Sequence, residues 1–179
     1  MLLALDVYYR DTSAQAVCVA FAGWKATQPD QVHVAHIESV AEYEPGAFYK
    51  RELPCLLKAL EPFDLQQAEA IIIDGYVLLD DDEKPGLGMY LHRAIEAKTP
   101  VIGVAKTRFR SLTRPDLVAG VLRGESGNPL WVTAVGLPLE QAVEHLRSMS
   151  GPYRIPEILK KTDGWSREAP DDSGQNENG

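Results

Sequence analysis

The chain has 179 residues, 45% of them hydrophobic, and its 18 basic and 26 acidic side chains leave a formal net charge of −8. This length and composition predict one globular domain over residues 1–167 with a core of its own. The acidic balance argues against indiscriminate binding to polyanions, because nucleic-acid binders usually present a basic face, but it leaves room for a local basic path.

Cys18 and Cys55 sit among apolar neighbours and not at metal-ligand spacing. They read as buried free thiols, which predicts neither a disulfide framework nor a zinc site and points to a reducing, cytoplasmic setting. The start, MLLALDVYYRD, has no basic leader, and its apolar stretch is too short to cross a bilayer. Residues 168–179, EAPDDSGQNENG, are polar without an apolar anchor and predict a disordered acidic tail.

Leu2–Tyr9 reads as a first strand with Asp6 set into it, and a carboxylate inside so apolar a run requires a partner. Gln15–Gly23 is a second apolar strand, and Gln31–Val40 alternates as a half-exposed third. Short connections make these an antiparallel meander. His33 and His36 fall on opposite faces of the third strand, so they do not form a ligand pair. Ala41–Pro54 leads into a helix that continues through Leu60, with Glu52 in or near its first turns.

Ala70–Gly75, AIIIDG, carries three consecutive isoleucines and predicts a strand buried on both faces. Asp74 closes it where open α/β sheets place their sites, and Gly75 lets the backbone turn close to a ligand. The acidic run Asp80–Glu83 in the following loop reads as a solvated insertion. Gly86–Lys98 has helical spacing, and Thr99–Ala105 is another apolar strand, with Lys106 directly after it. Strand, helix, strand implies a right-handed crossover and parallel pairing, which puts Asp74 and Lys106 at the same sheet edge.

Leu117–Arg123 and Leu130–Val135 predict a hairpin, and Leu139–Met149 an amphipathic helix. Arg154–Lys161 predicts the start of a last helical segment with Asp163 just beyond it. A three-stranded meander, a helix and then parallel strands separated by helices is the order of ribonuclease-H-like folds. The predicted class is therefore α/β, a mixed sheet flanked by helices. Asp6 and Asp74 would meet on adjacent strands, and two or three converging carboxylates suffice to hold a hard divalent cation against a phosphate.

The motifs resemble those of the endonuclease V family from Leu5 to Asp163. Leu5-Asp6-Val7 is similar to its first-strand Asp-Val. Tyr43-Glu44-Pro45-Gly46 and Arg51-Glu52-Leu53-Pro54 resemble its Pro-Tyr-Ile-Pro-Gly wedge and Arg-Glu-x-Pro helix start. Asp74-Gly75 resembles its Asp-Gly-x-Gly strand end, and Arg154-Ile155-Pro156-Glu157 with Asp163 its Arg-Leu-Pro-Glu stretch and downstream aspartate. Thr99–Lys106, TPVIGVAK, is nearly the family's Val-Pro-x-Ile-Gly-Val-Ala-Lys and is the most specific match.

The resemblance implies a magnesium-dependent endonuclease, with manganese as a substitute, that cuts DNA or RNA one nucleotide beyond a deaminated adenine and leaves a 3′-hydroxyl and a 5′-phosphate. It implies Asp6 and Asp74 as metal ligands and Glu52 as a ligand directly or through water. Asp163 would support them and Lys106 would stabilise the scissile phosphate. Tyr43, Pro45, Gly46 and Gly75 would contact the substrate. The chain departs from the family pattern at Glu42 and Glu44 in the wedge, at Tyr76 and Val77 after Gly75, and at Leu137. These departures touch substrate reading and leave two alternatives: the same chemistry on another nucleic acid, or a non-catalytic interaction module.

Overall fold

The computed structural model describes residues 1–169, so most of the predicted tail, residues 170–179, lies outside the described residues. Strands β1 (Leu2–Arg10), β2 (Ser13–Phe21) and β3 (Gln31–Ile37) form the expected antiparallel meander. Helix α1 (Phe48–Leu60) follows, then β4 (Ala70–Asp74), α2 (Leu87–Ala94) and β5 (Val101–Ala105). The chain closes with the hairpin of β6 (Ala119–Val121) and β7 (Leu130–Val135), then α3 (Leu139–Ser148) and α4 (Glu157–Arg167). All seven strands join one mixed sheet in the order β3-β2-β1-β4-β5-β7-β6. With helices on both faces, this is the ribonuclease-H-like arrangement that the element order predicts.

The parallel centre β1-β4-β5 is apolar because both of its faces are covered. Ile71, Ile72 and Ile73 are exposed by 0%, 2% and 1%, as a strand buried on both sides requires. Side-chain alternation splits the core in two. Leu3, Leu5, Ile71 and Ile73 pack with Cys55 and Leu56 of α1 and Leu91 of α2. Leu2, Ala4, Ile72 and Val104 pack with Leu146 of α3 and Ile158 of α4. Burying each such side chain contributes roughly 1.5–3 kcal/mol. Cys18 and Cys55 are both free and buried.

This parity decides where the polar residues at the strand ends point. The β1–β4 register runs to Leu5 opposite Ile73, so the next pair is Asp6 and Asp74. Asp74 in turn lies opposite Val104, two residues before Lys106. Asp6, Asp74 and Lys106 thus share the parity of Ala4, Ile72 and Val104 and face the side covered by α3 and α4.

Two expectations are corrected here. Asp163 does not follow the last helix; it lies inside α4, while Arg154–Pro156 precede the helix and are not part of it. The helix runs on because Ile158, Thr162 and Ser166, spaced four apart, make one buried stripe that carries it past Gly164. The Asp80–Glu83 run is not simply solvated. The Asp81 carboxylate accepts from the Thr113 backbone N–H at 2.6 Å, the Thr113 hydroxyl at 2.5 Å and the Arg114 N–H at 2.9 Å. Asp80 Oδ1 accepts from the N–H groups of Asp82 and Lys84. The acidic residues fold their own turn and tie it to residues 113–114.

Candidate active site

Glu52 reaches the sheet edge from the opposite face, out of the second turn of α1. It is only 7% exposed, although a carboxylate there gains no capping role. No hydrogen bond or salt bridge involves its side chain among the described residues. Burial, reinforced by the nearby charges of Asp6 and Asp74, pushes its carboxyl up to about 8. Asp6 is pushed up to about 7 by burial, by the charge of Asp74 and by the Asp163 carboxylate beside it. Burial also raises Asp74, and Lys106 opposes that shift. The charges of Asp6 and Asp74 thus bear on Glu52, and that of Asp74 on Asp6, which puts carboxylates from β1, α1 and β4 in one neighbourhood.

Lys106 Nζ lies 3.7 Å from Asp74 Oδ2, with about half of each side chain open to solvent. An exposed pair of this kind contributes little to stability, which leaves the ammonium available to another anion. Asp163 enters from α4 and is fixed by Arg167, whose Nε donates to Asp163 Oδ1 at 3.1 Å. Ser166 has one proton to place between Asp6 Oδ2, at 3.1 Å, and the Asp163 carbonyl, at 2.7 Å. The second Asp6 oxygen accepts from the N–H of Val7 at 2.9 Å.

Among the described residues, no group of three or more His, Cys, Asp or Glu side chains is close enough to enclose a metal ion by itself. The donor set nevertheless fits a hard divalent cation. It is all carboxylate, and magnesium typically takes one or two carboxylates and completes its shell with water and substrate phosphate. Glu52 supplies the independent sign: a buried carboxylate without a bonded partner requires either a proton or a cation.

A pH dependence follows with a definite sign. The folded-state values of Glu52 and Asp6, about 8 and about 7, lie above their ordinary 4.5 and 3.8. The folded protein then binds more protons than the unfolded chain across that window, so stability is present at low pH and is lost as pH rises through it. In chelator, the unfolding free energy is expected to fall from about pH 5 to about pH 8, by an amount on the order of 3 kcal/mol, and the melting temperature with it. Calorimetry checks it: Glu52→Gln should flatten the profile, and an unsloped wild-type profile would contradict the assignment.

Of the predicted substrate residues, Gly75 directly follows Asp74, whereas the other three lie in the loop before α1. Tyr43 is 61% exposed in the loop before α1, and Pro45 and Gly46 are exposed beside it. Glu44 of the same loop is paired with Lys50 at 3.2 Å, which neutralises part of the acidic wedge. Gly75 takes φ +144°, a conformation that L side chains rarely adopt.

Several positioning residues had no strong signal in the sequence. Tyr76 is buried and its hydroxyl donates to the Thr107 carbonyl at 2.6 Å while accepting from the Phe109 N–H at 3.0 Å, pinning the segment after Lys106. Arg154 Nη2 donates to the Lys106 carbonyl at 2.5 Å and the Pro129 carbonyl at 2.8 Å. Ser166 is visible only as the third member of the buried α4 stripe. A cleft of about 320 Å³ opens from Asp6, Asp74, Lys106 and Asp163 toward α4.

Comparison with known proteins identifies the family. A sequence profile for endonuclease V matches residues 1–164. Endonuclease V of Streptomyces coelicolor is 31% identical over 187 aligned positions, covering 92% of this chain and 77% of its own. The crystal structure of endonuclease V from Streptomyces avermitilis superposes with a TM-score of 0.73 at 27% identity, over 93% of this chain and 79% of that one. Endonuclease V of Ciona intestinalis, solved with a 24-mer DNA containing an inosine followed by a ribo-adenosine, superposes with a TM-score of 0.77. At 18% identity over 93% of this chain and 84% of that one, this last likeness concerns the fold alone. With the profile spanning nearly the whole chain and the bacterial relative matching over most of its length, the chain belongs to the endonuclease V family, whose members are metal-dependent nucleases.

Proposed function

We propose that the chain is a magnesium-dependent endonuclease, with manganese able to substitute, that hydrolyses a phosphodiester near an inosine in DNA or RNA. The observation that carries this reading is the convergence of Asp6, Glu52 and Asp74 with Lys106 held 3.7 Å from Asp74. Asp6 and Asp74 would hold the cation, with Glu52 as a ligand directly or through water. The bound ion supplies a Lewis acid and an activated water at neutral pH.

The remaining roles belong to the chain itself. Lys106 exchanges its contact with Asp74 for a non-bridging phosphate oxygen, a charge-assisted bond that strengthens as charge builds in the transition state. Asp163 and Ser166 orient Asp6, and Tyr76 keeps the segment after Lys106 in place. On the α1 side, Tyr43 and Pro45 would meet an unstacked base, and Gly46 and Gly75 would allow close backbone approach to it. No helix among the described residues is long and apolar enough to cross a membrane. The two buried free thiols support a cytoplasmic setting.

The test uses matched single- and double-stranded DNA and RNA oligonucleotides, with and without one inosine, in magnesium, manganese and chelator. Cutting should require both inosine and cation, and Lys106→Met should lower kcat by roughly 100-fold with little change in KM. Equal cutting of inosine-free strands would assign the chemistry to another nucleic acid. Tight binding without cutting in either metal would assign an interaction module.

A further inference from the structure

The cleft that opens from the carboxylates is larger and more apolar than phosphodiester hydrolysis requires. Its inner end is the acidic cluster with Lys106. Beside that cluster the lining is apolar, with Leu130, Ile155 and Leu159. Ile155 and Leu159 keep part of their surface open, whereas Ile158 between them is 1% exposed. A phosphate or a ribose gains nothing from such walls, but a planar base does. At about 320 Å³ the cleft stands at the low end of the roughly 300–1,000 Å³ of ligand pockets, a size suited to one ring system.

Tyr153 stands in the cleft lining and is 69% exposed, an unusual position for an aromatic side chain unless it has something to stack on. Its segment is built, not loose. Arg123, itself 7% exposed, donates to the carbonyls of Met149 at 2.5 Å and Tyr153 at 2.8 Å, with longer bonds to those of Gly151 and Arg154. The Lys160 ammonium lies 5.8 Å from the centre of the Tyr153 ring.

Charge at the rim fits a phosphate backbone. Arg154 bonds carbonyls, and Lys160 forms no salt bridge among the described residues, so neither cation is neutralised by a carboxylate. Arg154 and Lys160 thus place two cations without carboxylate partners in a cleft whose lining also holds Asp6, Asp74 and Asp163, while Lys106 faces Asp74. Direction follows from the two faces of the sheet. The Tyr43–Gly46 loop leads into α1 on one face, whereas this cleft lies on the α4 face and takes in Asp6 and Asp74 at the sheet edge. A strand whose modified base sits on the α1 side reaches this cleft only after its phosphate has crossed the carboxylates.

We propose that the outer cleft is a nucleobase subsite for the nucleotide just beyond the cut, the one that leaves with the 5′-phosphate, with its base stacked on Tyr153 between Ile155 and Leu159. The proposal rests on the nuclease reading above and adds a second unstacked base to it. Its test separates the two. Binding of a labelled single-stranded inosine oligonucleotide is followed by fluorescence anisotropy in calcium, with either a normal base or an abasic spacer just beyond the expected cut, and cutting of the same strands is followed in magnesium.

Removing that base should weaken wild-type binding about 10-fold. Tyr153→Ala should weaken binding of the normal strand by a similar factor and show no further loss on the abasic strand, and Tyr153→Phe should restore the wild-type pattern. An unchanged affinity on base removal, or an equal loss in wild type and Tyr153→Ala, overturns the subsite. If inosine-dependent cutting is seen alongside such a result, the nuclease reading stands alone. If the base dependence holds while no strand is cut, the cleft binds a base at that position as part of an interaction module, and the nuclease reading falls. Failure of the wild type to bind any strand overturns both.

Discussion

Asp74→Asn should lower cleavage by roughly a thousandfold or more while the protein stays folded and still binds nucleic acid. The substitution keeps the shape of the side chain and removes one of the charges that would hold the cation, about 4 kcal/mol of transition-state stabilisation at that factor. Asp74 closes β4 with its side chain 47% exposed, so the core does not depend on it. The metal-free variant should even be more stable than wild type near neutral pH, because the charge of Asp74 raises Asp6 and Glu52. Single-turnover cutting and thermal melting, measured on the same preparation, check both halves. Cutting within about threefold of wild type would remove Asp74 from the metal site.

That two-part behaviour reflects how the site is encoded. Asp6 and Asp74 were legible because each is a lone carboxylate in a strongly apolar strand, Asp6 within β1 and Asp74 at the end of β4, and strand parity plus parallel pairing brings the pair together whatever else the chain does. Lys106 was legible for the same reason. Glu52 was legible only through its motif, since one glutamate near a helix start is ordinarily an exposed charge. What makes it distinctive is its burial, which comes from α1 packing on β1 and β2. The end of α4 was misread because Gly164 breaks the local pattern, while the stripe of Ile158, Thr162 and Ser166 that carries the helix through Asp163 gains its meaning from tertiary contact.

Tyr76 shows the reverse case. As a departure from the family pattern it suggested altered substrate contact. In the fold its hydroxyl bonds the backbone at Thr107 and Phe109, so it acts on the segment carrying Lys106. Polar residues whose partners lie far along the chain leave no periodicity to read. Arg123 and Thr133 belong to the same class.

Gly103→Ala should destabilise the protein by about 3 kcal/mol and remove most of its activity, although residue 103 carries no chemistry. A β-carbon on Gly103 would stand 2.5 Å from the Gly75 carbonyl oxygen, 2.7 Å from Thr133 Oγ1 and 3.1 Å from the Val77 nitrogen. Two of these neighbours are backbone, so no flexible side-chain tip can swing aside. The displaced groups are the ones that hold the turn behind Asp74. Thr133 Oγ1 accepts from the Val77 N–H at 2.8 Å, and the Gly75 N–H donates to the Val104 carbonyl at 3.1 Å. The glycine in the most specific sequence match, TPVIGVAK, is thus required by the approach of the turn after β4 to β5. Chemical denaturation should show the loss of stability with the slope unchanged. Thr133→Val, which removes the hydroxyl and adds no bulk at residue 103, should reproduce about 1–2 kcal/mol of it by leaving the Val77 N–H unpaired. A Gly103→Ala variant as stable and as active as wild type would mean that this turn is not what holds Asp74 in place.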